Sequence, residues 1–62
     1  YRGAIADYTK AIKLDPILTS AYFNRGLAKL ILGQLDGGCV DLSKAGELGY
    51  GKAYEVIKEK CN

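Results

Sequence analysis

The 62-residue sequence contains no histidine, tryptophan or methionine, a single proline and only two cysteines. Without histidine the chain lacks the usual general base near neutral pH and the commonest zinc ligand. Cys39 and Cys61 stand too far apart for a CxxC redox motif and are too few for a four-ligand zinc site. The longest apolar stretch, Leu30 to Leu32, is far short of the ~20 residues that cross a bilayer. No signal-peptide pattern is visible. Gly37-Gly38 lacks the Lys-Ser/Thr ending and the strand-turn-helix setting of a phosphate loop. Asp36 and Asp41 are the nearest approach to a paired acid and base, yet nothing beside them in sequence would drive their pKa values apart. Two carboxylates on a helix are solvated by default. The length excludes catalytic scaffolds that need a large preorganised core. A non-enzymatic module without cofactor or metal is the expectation.

The charge that is present is mixed. Nine Lys and Arg against seven Asp and Glu give a net charge of +2. The basic residues alternate with acids, and only Lys58 and Lys60 come near a cluster, with Glu55 and Glu59 beside them. Displacing phosphate counterions needs a concentrated basic stripe, so nucleic acid is not expected as a partner, and the lack of a long apolar run sets a membrane aside as well.

Apolar residues recur at helical spacing along the whole chain. Ala4, Ile5, Tyr8, Ala11 and Ile12 share one face of a helix from Tyr1 to Leu14. Asp15-Pro16 ends it, because proline lacks an amide donor and disfavours the helical region for the residue before it. A second helix follows from about Thr19, with Thr19 or Ser20 able to cap its free amides, and runs to Gly33 as its stop. A third starts near Leu35-Asp36, where Asp36 is placed to cap the first turn, and reaches Glu47. Leu48 to Gly51 reads as a turn with Gly49 suited to a left-handed position, and Lys52 to Lys60 reads as a fourth helix. Short connections make consecutive helices antiparallel neighbours, so the expected fold is all-α.

The first and third helices are related by a shift of 34 residues: Asp7-Tyr8-Thr9-Lys10-Ala11 aligns with Asp41-Leu42-Ser43-Lys44-Ala45, and Leu14 with Leu48. Repeating helix pairs stack because one pair cannot bury its apolar stripe alone. With these residues the sequence resembles a tetratricopeptide repeat. Tyr1, Ala4, Tyr8, Ala11, Leu14, Asp15 and Pro16 look like the second helix of one repeat. Ala21 to Ala28 with Leu32-Gly33 look like the first helix of the next, and Gly38, Leu42, Ala45 and Leu48 belong to its second. Gly38 stands where the family usually has alanine, and Gly49-Tyr50 replaces the closing Asp-Pro. The resemblance implies an α-α solenoid fragment: residues 1–16 as part of one repeat, 17–50 as a full repeat, and 51–62 as a capping helix. It implies a protein or peptide partner, or self-association.

Small residues, Ala4, Ala11, Gly26, Ala28, Gly38 and Ala45, are expected to let helices approach closely, with Tyr8, Tyr22, Leu42 and Leu30 filling the remaining volume. The resemblance places Ser20, Phe23, Asn24, Leu27, Leu30 and Ile31 on a concave groove. Phe23, Leu27 and Ile31 are four apart and form one apolar ridge. Such a ridge beside Asn24 suits a peptide segment, and it suits still better packing against a previous repeat or the terminal helix. Cys39 and Cys61 lie about equally far from the Leu48–Gly51 turn. An antiparallel hairpin therefore brings them to one end, where a bridge would contribute about 3 kcal/mol. The alternative is a buried Cys39 and a free Cys61. A bridge favours a periplasmic or secreted protein, and free thiols a cytoplasmic one.

Overall fold

The computed structural model describes residues 2–61, and the expected helix start at Tyr1 lies outside them. Four helices follow one another: α1 (Arg2–Leu14), α2 (Thr19–Ile31), α3 (Leu35–Glu47) and α4 (Lys52–Lys60). No strand occurs among the described residues. The chain is all-α, with each helix packed against the next in sequence.

The turns follow from backbone chemistry. After α1, Asp15 accepts the Ile17 amide on its carboxylate at 3.3 Å, while its own carbonyl accepts from Leu18. The ends of α2 and α3 are built alike. At the first, Gln34 N–H donates to the Lys29 carbonyl and Gly33 N–H to Leu30, with Gly33 at φ +82°. At the second, Tyr50 N–H donates to Ala45 and Gly49 N–H to Gly46, with Gly49 at φ +108°. This paired closure satisfies carbonyls that a helix end leaves free, and it requires a left-handed residue.

Helix α2 ends at Ile31 with Leu32 as its cap, and Gly33 is the left-handed stop expected of it. Two other local expectations need correction. Neither Thr19 nor Ser20 caps α2: Leu18 holds the cap position with no side-chain bond, and the Thr19 hydroxyl donates instead to the Ile17 carbonyl. Asp36 lies inside the first turn of α3, where the cap is Gln34. There its charge still complements the helix dipole.

The core sits between α2, α3 and α4, where Phe23, Leu42, Ala45 and Ala53 are buried and Tyr22, Leu27, Leu30, Tyr50, Val56 and Ile57 pack around them. Helices α2 and α3 meet at two glycines. A Cβ on Gly26 would lie 3.0 Å from the Gly38 carbonyl oxygen and 2.9 Å from Leu42 Cγ. A Cβ on Gly38 would lie 2.9 Å from the Gly26 carbonyl oxygen. Each glycine thus makes room for the other's backbone. Ala28 is also buried, whereas Ala4, Tyr8 and Ala11 on α1, like Tyr22, are half-buried. At the other side of α3, the Tyr54 ring of α4 lies over Gly46, where a Cβ would come within 2.6 Å of it.

Two substitutions test this geometry. Gly26→Leu forces backbone against side chain and is expected to cost at least about 2 kcal/mol, read as a fall in thermal midpoint. Gly33→Ala, where no neighbour stands in the way, is expected to cost only about 1 kcal/mol, from the left-handed backbone alone.

Candidate functional site

The polar centre of the molecule is Asp41, which is 3% exposed. Its carboxylate accepts two hydrogen bonds from Arg25 of α2, from Nε and Nη2, both at 2.7 Å. Lys29, one turn further along α2, places Nζ 3.0 Å from the same group. Arg25 Nη1 also donates to the Thr9 hydroxyl of α1 at 3.2 Å, and that hydroxyl donates to the Ile5 carbonyl. The Tyr22 ring lies 5.7 Å from the guanidinium. One carboxylate thus joins α2 to α3, and Arg25 carries the link on to α1.

The hydrogen bond to Asp41 raises the Arg25 pKa above its ordinary value, against the opposing effect of burial. A raised pKa means the contribution is complete below the unfolded value and disappears only as pH climbs past the folded one. Arg25 is therefore charged at any ordinary working pH. The default of a solvated Asp41 is overturned. Arg25 stands eight residues before Gly33 and Asp41 eight after it, so an antiparallel hairpin turning at Gly33 sets them opposite one another. That symmetry is the signal in the sequence that points to the pair. Asp7, which the 34-residue shift matches to Asp41, is exposed.

The six groove candidates divide into two groups. Phe23 is in the core, its ring edge-on to Tyr50 with centroids 4.7 Å apart, so it is not part of an open ridge. Leu30 is half-buried and lies where a Cβ on Gly38 would touch it, which makes it part of the α2–α3 contact. Ser20 and Asn24 are exposed, Leu27 is half-buried, and Ile31 is 60% exposed. The Asn24 side chain makes no hydrogen bond among the described residues. No enclosed pocket is present, and no group of His, Cys, Asp and Glu could hold a metal ion among the described residues. No helix of the described residues is long and apolar enough to cross a membrane.

Cys39, on α3, and Cys61, just past α4, form a disulfide with Cα atoms 6.0 Å apart, spanning 22 residues. Of the two arrangements the sequence allows, the structure has the bridge.

Asp41→Asn leaves Arg25 and Lys29 facing a neutral amide in a nearly dry site, and is expected to cost about 3 kcal/mol in urea unfolding. Thr9→Val removes only the outer hydroxyl and is expected to cost about 1 kcal/mol. Replacing both partners, R25M with D41L, is expected to cost less than D41N alone, since no charge is then left unpaired on that pair.

No curated protein and no solved structure matches the chain. The family profile described as TPR repeat matches residues 1–33, which comprise α1, the Asp15-Pro16 turn and α2 with its closing Gly33. With four helices in antiparallel succession around a glycine-to-glycine contact, the chain belongs to the tetratricopeptide repeat family, whose fold serves protein–protein interaction.

Proposed function

We propose that this chain is a non-catalytic interaction module that receives a peptide or protein segment on the exposed strip of α2 formed by Ser20, Asn24, Leu27 and Ile31. The observation that carries the reading is the state of that strip. Ile31 is 60% exposed and Leu27 half-buried, and beside them the Asn24 amide is exposed with no internal partner. Apolar contact along Leu27 and Ile31 supplies affinity, and the Asn24 amide can both donate to and accept from a peptide main chain. Within a longer repeat array this strip would be one segment of a concave face, with residues 1–16 contributing to one repeat and 17–50 forming the next.

A second reading, a structural end cap without a ligand of its own, draws on α4. Its Ala53, Val56 and Ile57 pack on the Phe23, Leu42 and Ala45 surface, where a further helix pair of an array would otherwise stack. The two readings apply to different faces and are compatible, with residues 51–62 capping and α2 binding. The disulfide supports an oxidising location, periplasmic or secreted, since such bonds persist there and are rare in reducing cytoplasm.

Selection of displayed peptides on the chain, followed by backbone NMR shift mapping, tests the binding reading. Selected peptides are expected to shift Ser20, Asn24, Leu27 and Ile31, and Ile31→Asp is expected to weaken them at least about tenfold, the loss of roughly one buried side chain. Shifts confined to other helices, or full affinity in I31D, would exclude this strip.

A further inference from the structure

Helix α4 is held differently from the other three. The Arg25, Asp41, Lys29 and Thr9 network ties α1, α2 and α3 together and includes no residue of α4. The close approach of Gly26 and Gly38 likewise locks α2 to α3 alone. Helix α4 has nine residues, fewer than the ~12–15 that make even a favourable isolated helix marginally stable. Its only fully buried side chain is Ala53, with Val56 and Ile57 packed against the core and the half-exposed Tyr54 ring over Gly46. Its covalent fastening at the far end is Cys61, whose N–H still donates to the Ile57 carbonyl at 2.8 Å, so the bridge begins where the helix stops. Both cysteines are half-buried rather than enclosed, and reduction requires a thiolate to reach one of the two sulfurs.

We propose that the Cys39–Cys61 bond is a redox-operated clasp that holds α4 over the apolar face of the α2–α3 hairpin, and that a dithiol reductant releases α4 while α1 to α3 stay folded. The reductant's thiolate attacks one sulfur, forming a mixed disulfide and expelling the other cysteine as a thiolate that takes a proton. The second thiol of the reductant then displaces the remaining cysteine sulfur and leaves as an oxidised cyclic disulfide. Two electrons and two protons have moved to the protein, and Cys39 and Cys61 are free thiols. The end of α3 is unaffected, because the Tyr50 N–H bond to Ala45 precedes α4 in the chain. What is uncovered is the surface of Leu42, Ala45 and Phe23 on which Ala53 sits. The chain is thus closed in oxidising surroundings and presents a second apolar face in reducing ones, whatever the exposed strip of α2 binds.

The test is NMR of the full chain before and after treatment with dithiothreitol. Opening the ring is expected to lower the ratio of docked to released α4 on the order of a hundredfold, the equivalent of the bridge's loop-closure contribution. The helical carbon shifts of residues 53 to 60 should collapse toward coil values, while those of α2 and α3 and the Arg25 side-chain signal keep their native positions. Reduced chain with α4 still helical would overturn the proposal, and so would loss of all four helices together. The C39S/C61S variant should show the released pattern from the start, and any response of that variant to dithiothreitol would count against the clasp as well.

Discussion

The backbones of α2 and α3 come together where Gly26 faces Gly38, and most other features of the molecule depend on that separation. A side chain at either position would hold the helices apart. Only at this spacing does Leu42 disappear completely from solvent and the Arg25 fork reach both oxygens of Asp41. The helical cost of glycine, about 1 kcal/mol at each site, is offset by the packing and polar contacts that the approach makes available.

The buried charges follow from the same approach. Burying a carboxylate is unfavourable unless its lone pairs are filled, and Asp41 is supplied by a bidentate guanidinium and an ammonium. Such a cluster adds less net stability than its short distances imply. Its larger effect is to penalise misalignment, because sliding α2 along α3 by one turn would strand Asp41 without a fork. Arg25 extends this discrimination to α1 through Thr9, so one side chain registers three helices.

The parts of this structure that are legible in the sequence are those decided within a few residues. Pro16, Gly33 and Gly49 mark helix ends because each restricts or frees its own backbone, and all four helices lie where apolar periodicity puts them. The caps are less legible: hydroxyls at Thr19 and Ser20 suit the position chemically, but the chain turns one residue earlier, at Leu18. Environments set by distant segments are least legible. Phe23 and Ile31 lie on one helical ridge, yet Tyr50 and Ala53 fold over the first and leave the second open. Asp7 and Asp41 occupy matching positions of the repeat, and only Asp41 has an Arg25 across from it.

The closure at the end of α3 shows why a proline would be out of place where Tyr50 stands: the bond to Ala45 needs its N–H, and its ring rests on Phe23. The disulfide beyond it has a mechanical consequence. Tension applied along the chain passes from Cys39 straight to Cys61, so residues 40–60 between them carry none of it. About 75 Å of extended chain, at roughly 3.4 Å per residue, is withheld from stretching as long as the bond is intact. Under load the covalent ring behaves as a short rigid link, and the α1 to α3 contacts are the ones that must yield first.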